Sequence, residues 1–420
     1  MECGNQKVNF TATQLQLMTP DNSWKKNLYA LFISQFFYRA GTRSLIPFLP
    51  LFVQELGSTN VESTALWSGW IFASPFIVSF FTTPFWGSIG DKYGRKLTTL
   101  LSIAGFVIAQ LSMSFSSSLT FLLIASSIQE LFGGAYPAAI SLTAANSPKA
   151  KTTDALSYLQ LANALGNIVG PVLGGILADV FGFRNVFIIV AILVSATSLP
   201  VLFFVKEQKV VTEAKYNSLA NNFKYFTAKN GLVVCGIMLL AYTLSVTMMR
   251  PNFTLYIHQQ FGGLENQASL SGILLGLFGG AGALSVALLP ALNKIISSRK
   301  NLLLAFIISA AAFLSLNFLK DIFTFTLVLF VLGFALGVVL PLIYSLMSNE
   351  TEHERKAGVM GIGSSFQMIG NLAGPITAGY IVSSFGLSFS FVGSGAILAT
   401  AILFYIIWIK NDKATDKENS

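Results

Sequence analysis

The chain has 420 residues, 53% of them hydrophobic and only 10% charged, with a formal net charge of +8 and a mean hydropathy of +0.66. A soluble domain carries about 25% charged residues, so this balance excludes a soluble fold and indicates a protein embedded in a lipid bilayer. Two cysteines, Cys3 and Cys235, are too few and too far apart for a disulfide framework or a metal site, and no cofactor is expected.

In chain order, residues 1–26 are polar and form a short leading segment. No cleavable signal is expected, because the first apolar run is too long for a signal-peptide core. That run, Asn27 to Gln54, can span a bilayer, which needs about 20 apolar residues. It carries two charges, Arg39 near its midpoint and Arg43 one turn on, and at this spacing both guanidinium groups leave the same helix face. An arginine at mid-depth costs roughly 2.5–3.5 kcal/mol on insertion scales, so it must face protein, water or an anion. Two readings stand: a structural arginine paired with a buried carboxylate, or a binding face for a negatively charged substrate.

Apolar runs continue at residues 65–87, 97–113, 119–145, 154–178 and 184–205, completing a six-helix bundle over 27–205. A polar stretch, 206–230, reads as a central loop. Runs at 231–258, 269–292, 302–319, 322–347, 357–383 and 387–409 form a second bundle over 231–409, and 410–420 is a polar tail. The expected fold is therefore an all-α membrane protein of twelve transmembrane helices in two pseudo-symmetric six-helix bundles. Spans 3 and 9 are short and must draw on flanking residues.

An even number of spans puts both termini on one side. Of the 26 Lys and Arg residues, only Arg184 and Lys320 fall in loops on the far side, and only Arg39, Arg43 and Arg250 lie within spans. The positive-inside rule then places both termini and the central loop in the cytoplasm of a bacterial inner (plasma) membrane. The basic excess is thus a topology signal, and no nucleic-acid partner is expected.

The halves repeat. A shift of 204 residues carries Gly166-Asn167-x2-Gly170-Pro171 onto Gly370-Asn371-x2-Gly374-Pro375, and likewise Gly175 onto Gly379, Gly133 onto Gly337, Pro137 onto Pro341 and Pro47 onto Pro251. Coincidences of glycine and proline at one fixed offset signal an internal duplication, here of two bundles related by an axis along the membrane normal.

Between spans 2 and 3 lies Gly87-Ser-Ile-Gly-Asp91-Lys92-Tyr-Gly94-Arg95-Lys96. This is a tight turn in which Gly94 can take a positive φ and the Asp91 carboxylate has cationic neighbours. The pattern, in this position, resembles the signature loop of the major facilitator superfamily. Span 5, with Gly166, Gly170, Pro171, Gly174 and Gly175, resembles the antiporter motif of that family's drug:proton exchangers. Small residues at this spacing let helices approach closely. Segments such as Pro47-Phe-Leu-Pro-Leu-Phe52 and Pro84-Phe-Trp-Gly87 resemble the drug:proton antiporter group as well. The resemblance implies a transporter, with Asp91, Arg95 and Lys96 acting as a latch of the outward-open state and spans 1, 4, 7 and 10 lining a central cavity. The second-half loop has Ile295 opposite Asp91, so the latch is expected on one side only.

One departure bears on mechanism. Members of this group often carry a proton-relay arginine in span 4, where Ser126 stands here, and Glu130 occupies the position of the following glycine. Glu130 is the one carboxylate far from the ends of any span; Asp154 and Asp179 sit near the two ends of span 5. A glutamate at that depth is a proton carrier or a partner of an arginine. Arg250, beside Pro251 in span 7, adds a third cation. The formal sum of Arg39, Arg43, Arg250 and Glu130 is +2, or +3 with the glutamate protonated, which favours carboxylates or phosphonates gripped bidentately. Tyr38, Gln35, Gln129, Tyr136, Tyr242, Asn252 and Tyr344 are candidate polar lining.

These features lead to a proton-coupled secondary transporter, monomeric, moving a small amphiphilic anion by alternating access, most simply in multidrug-type efflux. Transport of a carboxylate siderophore or another organic anion, in either direction, is the competing reading. A non-transporting membrane sensor would need a further soluble domain, for which the loop and tail are too short. An ATP-driven pump would need a Gly-x4-Gly-Lys-(Ser/Thr) loop, which the sequence lacks. No catalytic constellation appears.

Overall fold

The computed structural model describes residues 23–207, 219–262 and 266–418. They form helices connected by short turns. Span 1 is Ser23–Ser44, continued through a 3-10 turn, Ile46–Phe48, into Leu49–Glu55. Spans 2 and 3 are Val61–Tyr93 and Arg95–Ser114; span 4 is Leu119–Leu131 followed by Ala135–Asn146; span 5 is Thr152–Phe181; span 6 is Phe183–Ala196 with Ser198–Phe204. In the second half, spans 7, 8 and 9 are Asn230–Gln260, Gln267–Ile295 and Ser298–Ser315. Span 10 is Ile322–Gly337 with Val339–Asn349, and spans 11 and 12 are Lys356–Phe385 and Ser388–Glu418.

Ten of these units are long and apolar enough to cross a membrane among the described residues. The exceptions are spans 1 and 11. Arginine and polar residues dilute the first, and glycine and serine dilute the other. Both are nonetheless packed between apolar neighbours, span 1 on span 5 and span 11 on spans 2 and 7. Tertiary burial replaces what composition lacks.

Three expectations from the sequence change. Spans 4 and 10 are each two helices. Span 4 breaks at Phe132–Gly134 and span 10 at Val338, just after Gly337. Gly133 and Gly337 are repeat equivalents, and a glycine at each point weakens the helix where Pro137 or Pro341 follows. The central stretch is partly helical, because Leu219–Ala228 packs on span 11 through Asn222 and the stacked Phe226–Phe366 pair, 5.7 Å apart. Span 12 also runs on past residue 409 to Glu418.

Local signals place the helix starts on the side away from the termini, called the far side below. Asn60 accepts from Ser63 N (2.8 Å), Ser118 from Phe121 N (3.2 Å) and Asp321 from Thr324 N (2.9 Å), capping spans 2, 4 and 10. On the terminal side, Gly94 alone links spans 2 and 3 with φ +105, which an L side chain resists.

The two bundles have separate cores that exchange one residue each. Ala65 of span 2 packs in the core of the second bundle, and Ala268 of span 8 packs in that of the first. The seam between bundles is a set of glycines lying on backbone carbonyls. A methyl group on Gly69 would stand 2.5 Å from the Pro375 carbonyl oxygen, and one on Gly379 2.8 Å from that of Ala65. Gly272 abuts the Pro171 carbonyl and Gly175 that of Ala268 in the same way. All these residues lie in the far-side halves of spans 2, 5, 8 and 11. On the terminal side, a methyl group at Gly361 of span 11 would meet nothing within 4 Å.

Candidate functional site

Spans 1, 2, 3, 4 and 6, with Thr247 and Arg250 of span 7 and Pro375 of span 11, line a cavity of about 160 Å³. Arg39, Arg43, Arg250 and Glu130 all line it, together with Tyr38, Thr42, Gln110, Ser126, Gln129 and Thr247. Four charged groups from three spans therefore share one chamber.

The position of the arginines follows from a close helix contact. A methyl on Gly166 would stand 2.8 Å from Arg39 Cβ, and one on Gly170 2.9 Å from Arg43 Cβ; Gly174 abuts the Ser44 carbonyl. The glycine motif of span 5 is thus two-faced. Gly166, Gly170 and Gly174 receive span 1, whereas Pro171 and Gly175 meet span 8 across the bundle seam. With backbones this near, short side chains reach the arginines: Arg39 Nε donates to Asn163 Oδ1 (2.9 Å) and Arg43 Nε donates to Asn167 Oδ1 (3.0 Å). Arg39 also stands 5.7 Å from the Tyr136 ring centroid, a cation–π contact.

Glu130 sits in the last turn before the span 4 break. A methyl on Gly133 would stand 2.6 Å from its Oε2, so the carboxylate folds back over the interrupted turn. Thr82 Oγ1 donates to the Glu130 carbonyl (3.0 Å), which also accepts from Gly133 N (3.0 Å), and Trp86 Nε1 donates to the Leu131 carbonyl (2.8 Å), so side chains of span 2 bind the carbonyls at the break. No ion pair joins Glu130 to either arginine among the described residues. Ser126, at the position of the relay arginine, shares a 2.9 Å hydrogen bond with Ser74.

Other expected lining residues fall elsewhere. Gln35 and Asn252 are buried, line no part of the cavity, and have side-chain amides without hydrogen-bond partners. Tyr344 lies away from the cavity with its hydroxyl 3.3 Å from Ser364 Oγ, and Tyr242 is likewise outside it. Tyr38 lines the cavity while packing its ring 5.1 Å from Phe106.

At the signature loop, the side chain of Asp91 and the surroundings of Gly87 lie outside the described residues. Arg95 and Lys96 are engaged within their own bundle. Arg95 Nη1 donates to the Ser141 carbonyl (3.4 Å) and Lys96 Nζ to that of Leu202 (2.7 Å). Glu207 caps span 3 by accepting from Arg95 N (2.5 Å) and Lys96 N (3.2 Å). On the far side, span 8 borrows its cap from the other bundle: Asp179 of span 5 accepts from Ala268 N (3.3 Å) and Ser269 N (2.7 Å).

Asn163, Asn167, Glu207 and the capping role of Asp179 were not singled out from sequence. The asparagines carried one signal: their four-residue spacing matches that of Arg39 and Arg43.

Two six-span bundles with a chamber lined by charged side chains from both halves define a secondary transporter. The chain belongs to the Major Facilitator Superfamily, whose family model matches residues 31–319 and 235–420. It is 32% identical over 383 residues to the multidrug resistance protein MdtG of Salmonella paratyphi A, covering 90% of this chain and 95% of that one. The same fold recurs in a bacterial homologue of the human lysosomal transporter spinster, inward-facing and occupied (TM-score 0.75, 14% identity, 92% of this chain and 97% of that one). It recurs also in the nucleoside transporter NupG (TM-score 0.77, 13% identity, 90% and 99%). This chain is a multi-pass membrane transporter of a small molecule and not an enzyme.

Proposed function

We propose that the protein is a proton-coupled exporter of amphiphilic organic anions in the bacterial inner membrane, working as a monomer by alternating access. One observation carries the substrate charge: Arg39, Arg43 and Arg250 line a single chamber with Glu130 as the only carboxylate among its lining residues. In a water-poor cavity such a set attracts oxyanions and repels lipophilic cations. Glu130 takes the proton-carrying role, since it lines the chamber without an ion-pair partner within reach among the described residues. The likeness to MdtG supports efflux in the multidrug manner. With both termini cytoplasmic, the far side is periplasmic. Arg95 and Lys96, with Asp91, form the latch of the outward-open state.

The same charges suit a polycarboxylate such as a siderophore, and rocking of the bundles serves import as well as export. Both readings are tested by reconstituting the protein in proteoliposomes with octanoate, octylphosphonate and octyltrimethylammonium under an imposed pH gradient. Flux of the anionic probes against proton flow is expected. Faster movement of the quaternary ammonium probe, or flux indifferent to the gradient, contradicts the proposal.

A further inference from the structure

We propose that Asn163 and Asn167 are positioning residues that make Arg39 and Arg43 end-on clamps for one oxyanion head group. The inference rests on the anion reading above. An arginine offers oxyanions two edges, one through Nε and an adjacent Nη, the other through the two Nη atoms. In both arginines Nε is already donated, to Asn163 Oδ1 at 2.9 Å and to Asn167 Oδ1 at 3.0 Å. Only the Nη–Nη edge remains for a ligand.

Each asparagine is suited to this task. Asn163 is buried and its Nδ2 donates to the Leu159 carbonyl (3.0 Å), which turns Oδ1 toward the arginine. A neutral amide oxygen orients the guanidinium without cancelling its charge, as an aspartate there would. The backbone beneath is equally constrained, because Gly166 lies against Arg39 Cβ and Gly170 against Arg43 Cβ. Two end-on edges one helical turn apart, with Cβ atoms about 5–6 Å from each other, can converge on one head bearing two or three oxygens. A carboxylate or a phosphonate fits. Preorganisation of this kind sets binding geometry through groups that never touch the ligand.

The test uses the full-length protein in lipid nanodiscs, with octanoate, octylphosphonate and octyltrimethylammonium titrated by calorimetry. The wild type is expected to bind at least one anionic probe tighter than the ammonium probe; equal binding refutes the anion reading, and this inference with it. Given that discrimination, Asn163→Ala and Asn167→Ala should each weaken the anion by about tenfold, as expected for loss of a hydrogen bond to a charged group. The ammonium probe should be unaffected. Asn167 is exposed, so its variant keeps the test open should Asn163→Ala fail to fold. A merely structural role is separated by a cycle: in an Arg43→Ala background, Asn167→Ala should have no further effect. A further tenfold loss in that background, or unchanged anion affinity in the folded Asn→Ala variants, overturns the assignment while leaving the anion reading standing.

Discussion

The two halves share a scaffold and differ in what they hang on it. At the offset of 204, Gly166 and Gly170 become Gly370 and Gly374, and the residues they receive, Arg39 and Arg43, become Thr243 and Thr247. The packing is the same: a methyl on Gly370 would stand 2.8 Å from Thr243 Cβ, as one on Gly166 would from Arg39 Cβ. The chemistry is not. The threonines bond only to backbone carbonyls, Thr243 Oγ1 donating to that of Leu239 (2.8 Å) and Thr247 Oγ1 lying within reach of those of Thr243 (2.7 Å) and, on span 11, Gly370 (3.0 Å). The arginines reach across to Asn163 and Asn167 and into the chamber. Glu130 has Phe334 as its counterpart. Duplication preserved the glycine seams that hold helices together, while the Arg39–Arg43 pair and Glu130 stand in the first half alone and the second half contributes Arg250. A second pair of arginines would add two more buried positive charges with no carboxylate to offset them, a costly arrangement.

The largest effect should come from making the first half read like the second. Arg39→Thr with Arg43→Thr is expected to lower octylphosphonate flux in proteoliposomes by roughly a hundredfold or more, as loss of charged ligand contacts does. Folded protein should persist, because threonine already fits against glycine at the equivalent seam. Retention of half the wild-type flux would break the comparison. Next, Glu130→Gln should abolish the response of flux to an imposed pH gradient, whereas Phe334→Leu should leave it intact; equal responses in the two variants would remove Glu130 as the carrier. The shared seam predicts symmetry instead: Gly170→Leu and Gly374→Leu should each destabilise by about 1–3 kcal/mol through overpacking, read as similar drops in thermal unfolding temperature. A drop confined to one half would show that the seams are not equivalent in strength.

The smallest effect concerns the far-side gate. Span 2 is capped by its own Asn60, but span 8 is capped by Asp179 from the opposite bundle. A carboxylate at a helix N-terminus contributes typically 0.3–1 kcal/mol. Asp179→Asn should therefore shift the population toward the far-side-open state by only two- to fivefold, measured as spin-label distances between spans 5 and 8. Ser383→Ala, at the repeat-equivalent position, should produce no shift.

Much of the site was visible in one dimension. Arg39, Arg43, Glu130 and Arg250 stand out because a charge inside an apolar run is costly wherever the helix turns, so its presence alone marks a polar environment. Gln35 and Asn252 were misplaced by the same logic, because neutral amides can be buried between helices at far lower cost and their direction depends on neighbours. Asn163 and Asn167 were passed over because asparagine beside glycine is read as packing, and their partners lie 124 residues away. The breaks in spans 4 and 10 fall at glycines that the repeat had marked, but a glycine in a membrane helix signals close packing as readily as interruption.

By itself the sequence determined the span pattern, the duplication and the identity of the charged residues, since these follow from hydropathy, periodicity and the cost of charge in lipid. Only the tertiary structure decided that three arginines and a glutamate meet in one chamber, that each arginine of span 1 is held through its Nε, and that glycines lie on the carbonyls of facing helices along the far-side seam. Those facts depend on which helix faces lie against each other, and that choice is made by backbone approach between segments far apart in the chain.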